Sequence, residues 1–350
     1  MAISWPSATH FCDSASGGGN GTPGAPWTPA EAAANVAAGN VVFWRGASAY
    51  QKGSTLAFST SGTDAAPIWL IGTDYAWAPL TIGHVEVDAN GGAYHALALS
   101  GSHMVVAGIY GSGAVSPQAG IRIDGDSITL CRCKAEVGYY AFCQVSASYG
   151  VTYYDCEAHG TGSGMGFYDS YGPAQYLGCV AHGATYGFVP QGPAALVSCR
   201  AYDIGSIGVR HNRDNANGGI CLIDHGSFYD CVNAIEIEGA TYANSVLITN
   251  NIFDTCSAYG VKLDGVAGQL ATVLNNGYRA CTSGNINDSG KTGLLHGNWL
   301  ALPASPFVNA AGGDLSLIRS TPARGAALDG GDLGAMQRGI ARTPHPIAGL

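Results

Sequence analysis

The chain has 350 residues, of which 52 are glycine, with a formal net charge of −9. Charged residues make up 11%, against roughly 25% in ordinary soluble domains, so the surface falls to Ser, Thr, Asn, Gly and Tyr. The acidic balance offers no basic patch for nucleic acid, and no apolar run approaches the ~18 residues of a membrane helix.

The first residues, "MAISWPSATHFCDSASGGG", contain no basic segment followed by an apolar stretch, so no signal peptide is expected. Residues 26–40, "PWTPAEAAANVAAGN", predict a short capping helix. Thr28 is its N-cap, Pro29 its first residue, Glu31 completes a capping box, and Gly39 is the expected terminator. Residues 1–45 read as this cap and a first strand.

Residues 46–300 carry a repeat. Asn250–Asn251 return 25 residues later as Asn275–Asn276, Cys231 returns as Cys256 and Cys281, and Phe228 as Phe253 and Tyr278. Looser repeats lie upstream: "CKAEVGYYAF", "CEAHGTGSGMGF", "CVAHGATYGF" and "CRAYDIGSIGV". Each ends on an apolar residue that opens a short run, giving the series Phe142, Phe167, Phe188, Val209, Ile235 and Val261. Period-2 alternation follows, as in "IEIE" and "VKLD", which marks strands with one buried face. In-phase strands with no helical pattern between them predict a solenoid of about three strands per coil. Equivalent residues then stack ~4.8 Å apart. Eleven cysteines, an odd number without paired CxxC clusters, argue against zinc and for free thiols. Residues 301–350 leave the repeat, and "GGDLSLIRSTPARGAALDGGDLGAMQRG" reads as a closing segment.

The opening "FCDSASGGGNGTPGAPWTPAEAAANVAAGNVVFWRGASAYQ" resembles that of right-handed parallel β-helix proteins of the pectate-lyase-like superfamily, and the Asn-Asn coils match the group's style. The resemblance covers nearly the whole chain. It implies an all-β, right-handed parallel β-helix with an N-terminal capping helix. The superfamily spans lyases, hydrolases, epimerases and phage spike or fibre proteins, so the resemblance leaves function open. The hydrolases' clustered Asn-Thr-Asp, Asp-Asp, Gly-His-Gly and Arg-Ile-Lys motifs are missing, as is the lyases' Arg-Pro strand.

Stacking allows columns to be lined up. One residue after the openers come Tyr168, Arg210, Glu236 and Lys262; three after come Glu238 and Asp264. Both columns should face outward. Glu236, Glu238 and Asp264 are therefore the candidate catalytic acids, since glycoside hydrolysis uses two carboxylates roughly 5–9.5 Å apart. The competing reading is a salt-bridge ladder with Arg210 and Lys262, which avoids stacked like charges. Arg210, His211, Arg213 and Asp214 of the polar stretch "GVRHNRDNANGG", with Lys262 and Tyr168, are candidate substrate-binding residues. His159 and His182 fall at matching positions read as turns, followed by Tyr202, and Asp169 and Asp203 read as turn caps. No resident metal or cofactor is expected; the resemblance implies Ca²⁺ if the chain is a lyase.

Three function classes follow. The first, favoured by low charge and reduced-looking cysteines, is a virion protein of a phage: a head fibre, decoration or tail-associated β-helix. Its partners would be other virion subunits or its own copies, most simply as a homotrimer, and it would assemble in the host cytoplasm. The second is a polysaccharide lyase or glycoside hydrolase, which would be secreted. The third is a non-catalytic adhesive or glycan-binding module.

Overall fold

The computed structural model describes residues 5–335, apart from 16–17, 47–48, 52, 75, 77, 79–84, 138, 146–149, 171, 213–219, 239–244, 265–269, 289–293 and 298. The repeat forms a parallel solenoid with three sheet faces. Among the described residues sheet 1 has 12 strands, running from His10–Asp13 and Val41–Arg45 through Leu270–Leu274 to Leu294–Gly297. A 19-stranded array carries the other two faces. Sheet 2 includes Lys134–Val137, Glu157–Gly160, Val180–His182 and Ile252–Asp254; sheet 3 includes Tyr140–Gln144, Met165–Asp169, Tyr186–Pro190 and Tyr259–Leu263. Arg200–Asn212 and Ser227–Glu238 bend from sheet 2 into sheet 3, and their mutual register shifts between Ile204 and Ile207.

Left-handed backbone makes both tight corners. Between sheets 1 and 2 it falls on Arg132, Asp155, Ser198, His225, Asn250 and Asn275, with φ of 51–58°. Between sheets 2 and 3 it falls on Asp203, Asp230, Thr255 and Ala280. Asn and Asp tolerate this conformation, whereas Thr255 and Ala280 adopt it at a steric cost that the surrounding ladder must offset.

The residue after the first corner turns inward, and where it is Cys or Asn its side chain donates to the coil before; Gly226, after His225, has none. Sγ of Cys133, Cys156, Cys179 and Cys199 reaches the carbonyls of Val106, Leu130, Tyr153 and Tyr176. Further along, Asn251 and Asn276 do the same toward Ile223 and Ile248, at 3.0 and 3.1 Å. Thiol and amide are thus alternative donors in one column. The amides do more: Asn251 Oδ1 also accepts from the Gly226 amide, and Asn276 Oδ1 from the Asn251 amide. Cys231, Cys256 and Cys281 line the second corner, and all eleven cysteines are free thiols.

Aromatic stacks fill the interior. Phe142, Phe167 and Phe188 lie parallel at 4.8 and 4.9 Å, with Tyr153 and Tyr176 of sheet 1 edge-on to them. Phe228, Phe253 and Tyr278 form a second stack, on sheet 2, as their spacing predicts. A column of small residues lets sheets 2 and 3 converge. A Cβ on Gly208 would lie 2.6 Å from the Ala234 carbonyl.

The two ends differ from the sequence expectation in detail. The helix is Pro29–Asn35 with the capping box in place, but it ends at Val36, where extended backbone breaks the turn. Gly39 serves instead in the connection to Val41–Arg45, with φ of 80°. Buried Ala32 and Val36 seat the helix on the first coil. The C-terminal segment runs back along sheet 2, where Leu302, Phe307, Leu315 and Leu333 pack with Ile252, Tyr202 and Tyr229. Leu328 and Gly334 donate backbone hydrogen bonds to Asn250, and Ala335 to Ser227.

Replacing Asn251 by alanine leaves the Ile223 carbonyl and the Gly226 amide buried without the side-chain partners they now have. Urea denaturation of Asn251→Ala should show a stability loss of roughly 2–4 kcal/mol. A loss within error would show that the ladder is dispensable.

Candidate functional site

Sheet 3 presents its outward residues in register. The central column reads Arg122, Cys143, Tyr168 and Val189, then Arg210, Glu236, Lys262 and Asn287. Beside it, at the corner with sheet 2, stand Tyr140, Met165 and Tyr186. The rings of Tyr140 and Tyr168 are 5.0 Å apart, and the Arg210 guanidinium lies 5.1 Å from the Tyr186 ring centre. Tyrosines and charged groups therefore occupy two adjacent columns along the solenoid axis, with Cys143, Met165 and Val189 between them.

Among the sequence candidates, Glu236, Glu238, Asp264, Arg210, Lys262 and Tyr168 share this face. Register sets Arg210 opposite Glu236, yet its two hydrogen bonds go diagonally to Glu238 Oε2, at 2.7 and 3.0 Å. Lys262 Nζ bridges Glu236 Oε1 at 2.7 Å and Asp264 Oδ2 at 2.6 Å. Those two carboxylates hold the ammonium well above its usual pKa, Asp264 having the larger effect. Glu236 is buried, and Asn233 donates to its second oxygen at 2.8 Å. Both Glu236 oxygens are engaged, and the trio is arranged around cations. Among the described residues no group of three or more His, Cys, Asp or Glu side chains is disposed to hold a metal ion.

His211 does not join them. It sits two residues past Val209, shares its inward direction, is 3% exposed, and meets the Gly192 carbonyl through Nε2 at 3.0 Å. The strand continues to Asn212 where the polar composition suggested a loop. Arg213 and Asp214 lie outside the described residues.

A second polar cluster lies on sheet 2. His159 and His182, expected in turns, stand on the strands Glu157–Gly160 and Val180–His182, with rings stacked at 4.5 Å. Tyr202 stacks on His182 at 4.9 Å. Around them, Tyr110 donates to Glu136 at 2.5 Å, His159 faces Glu136, and His182 and Lys134 both face Glu157. His182, then Lys134, hold Glu157 down to about 2 against the opposing effect of burial. The signal was present as the alternation "KAE", "EAH", "VAH", "RAY" around buried Ala135, Ala158, Ala181 and Ala201. The C-terminal segment borders this cluster, with Gly313 against the Tyr202 ring.

No protein-family model matches the sequence, and a search of curated proteins finds no match. Solved structures do match in shape. The crystal structure of pectate lyase Pel9A aligns over 95% of this chain and 97% of its own, with a TM-score of 0.59 at 15% identity. The chain has the fold of that structure, a right-handed parallel β-helix. An alginate lyase from Paenibacillus sp. str. FPU-7 aligns over 77% of this chain and 95% of its own (TM-score 0.44, 11% identity). The GH136 lacto-N-biosidase from Eubacterium ramulus aligns over 83% and 67% (TM-score 0.41, 10% identity). These two scores are too low to carry an argument.

The interior of this β-helix holds one titratable group that the sequence reading placed in a turn. Asp169 points inward between the stacked rings, fully buried, and accepts hydrogen bonds from the hydroxyls of Tyr153 and Tyr176. Burial pushes its carboxyl up to about 7, only partly opposed by Tyr153. A raised folded-state pKa means that the folded protein keeps a proton the unfolded chain has released. The stabilisation is complete below about pH 4, falls as pH rises, and is lost once pH passes about 7. The full span is on the order of 4 kcal/mol. Chemical denaturation between pH 4 and 8 should show this decline in the wild type, and Asp169→Asn should flatten it. Equal slopes in both proteins would remove Asp169 as the cause.

Proposed function

We propose that the protein is a carbohydrate-active β-helix that receives a polysaccharide along the outer face of sheet 3. The observation that carries the reading is a pair of adjacent columns on this face, Tyr140 and Tyr186 in one and Tyr168, Arg210, Glu236 and Lys262 in the other, with Glu238 and Asp264 beside them. A polysaccharide is itself a periodic ligand, and a stacked sheet repeats its contacts every ~4.8 Å. Tyrosine faces pack on the apolar faces of sugar rings, and the carboxylates and amides hydrogen-bond their hydroxyls. The resemblance in shape to a pectate lyase agrees with this reading.

If the face also cleaves its ligand, Glu236, Glu238 and Asp264 are the acids available on it. Glu238 and Asp264 are the more exposed, with side chains 25% and 38% accessible against 7% for Glu236. Affinity electrophoresis against a panel of neutral and acidic polysaccharides, paired with assays for reducing ends and for unsaturated products, tests the reading. Tyr168→Ala should weaken binding to the retained polysaccharide by roughly 5–50-fold, the equivalent of about 1–2.5 kcal/mol. If any cleavage is found, the amide replacements of Glu238 and Asp264 should abolish it. Retention unchanged in Tyr168→Ala would move the site off this face.

One observation favours a second reading, a virion component that associates with its own copies, most simply as a trimer. On the outside of sheet 1 a register column runs Val105, Thr129, Thr152, Gln175, Ala195, Leu222, Leu247 and Thr272 without a single charge. Uncharged columns of this kind suit subunit contacts. Light scattering would show a mass well above the 35.7 kDa of one chain, reduced to one chain by Leu222→Lys with Leu247→Lys. A wild-type monomer at high concentration would count against the reading.

A further inference from the structure

We infer that the sheet 3 face selects a neutral polysaccharide and disfavours a polyuronate, with Glu238 as the residue that sets the preference. The inference rests on the glycan reading above and adds the substrate class. A polyuronate carries a carboxylate on every sugar. A protein face that binds it must offer cations, its own or bound ones, at the same repeat.

Here the described cations of the face are already held by the protein's own carboxylates. Arg122 contacts both oxygens of Asp124, at 3.0 and 2.9 Å. Arg210 gives two hydrogen bonds to Glu238, and Lys262 is shared by Glu236 and Asp264. Three cations thus face four carboxylates, on a chain whose net charge is −9. A uronate seeking Arg210 would have to displace Glu238 and leave that carboxylate beside it. Like charges brought together in this way disfavour binding.

Arg210 is also fixed from two sides. The Tyr186 ring lies 5.1 Å beneath its guanidinium, and Glu238 takes the bonds from Nε and Nη2. It is a clamped group rather than a side chain that swings to meet a ligand. Sugar hydroxyls, each both donor and acceptor, need no displaced ion pair. They can bond to the carboxylates of Glu238 and Asp264 at the rim of the face while their rings rest on Tyr140 and Tyr168. The position analogous to a substrate carboxylate is, in effect, already occupied by Glu238.

Removing the charge of Glu238 should therefore release Arg210 for an acidic ligand. The test measures dissociation constants of the full chain for polygalacturonate, with and without added calcium, and for a galactan, a xyloglucan and a mixed-linkage β-glucan. The wild type should bind at least one neutral polymer about tenfold or more tightly than polygalacturonate, and Glu238→Gln should tighten polygalacturonate binding by about tenfold. Glu86→Gln makes the same change in net charge on sheet 2, where Glu86 accepts from Ser112, and should leave polygalacturonate binding as in the wild type. Tighter binding of polygalacturonate than of every neutral polymer by the wild type, in either calcium condition, overturns the inference alone. So does a Glu238→Gln variant with unchanged preference, or an equal gain in Glu86→Gln. Binding of neither class overturns the glycan reading, and this inference with it.

Discussion

In a parallel coil stack each side chain sits ~4.8 Å from its counterpart in the next coil, so like is placed on like unless the sequence intervenes. This one constraint governs the molecule. Groups that attract their own kind can be repeated in a column, and groups that repel cannot. Phenyl rings, amides and thiols fall in the first class, which is why the Phe142–Phe167–Phe188 stack and the Asn251–Asn276 pair exist. Charges fall in the second. Their scarcity and their alternation along Arg210, Glu236 and Lys262 both follow from the same repulsion.

The inward columns show how chemically different residues satisfy one structural demand. At most corners after sheet 1 a small side-chain donor reaches back to the preceding coil. Cys199 and Asn251 do so with a thiol and an amide at 3.3 and 3.0 Å. The amide also accepts from a backbone amide one coil back, whereas the thiol is simply a compact apolar filler with a weak donor. A reducing environment keeps such thiols as fillers. Burial also pushes the thiols of Cys133, Cys156 and Cys179 well above the range of a reactive thiolate.

On the outside the same repetition sets rings and fixed ion pairs in columns along the axis, and the proposed glycan site uses that arrangement. The diagonal choice of Arg210 for Glu238 pairs off that carboxylate, while Lys262 serves Glu236 and Asp264 together. The polar ring around His159 and His182 on sheet 2 is built by the same register, and the returning C-terminal segment bounds it at Tyr202.

The repeat, the stacked columns and the parity of each strand were determined by the sequence, because a coil interacts mainly with its two neighbours and a fixed period specifies that interaction. Parity extended further than composition suggested: His211 and Asp169 each lie two residues past an inward opener, and both turn inward. What hid them was strand length, since polar residues read as a loop where pairing carries the strand on to Asn212. Other features belonged to the tertiary structure. The exit of the helix at Val36, the diagonal bond of Arg210 and the return of residues 302–335 over sheet 2 have no period behind them. Each is decided by which surfaces and rotamers meet in space, and a one-dimensional repeat does not encode that.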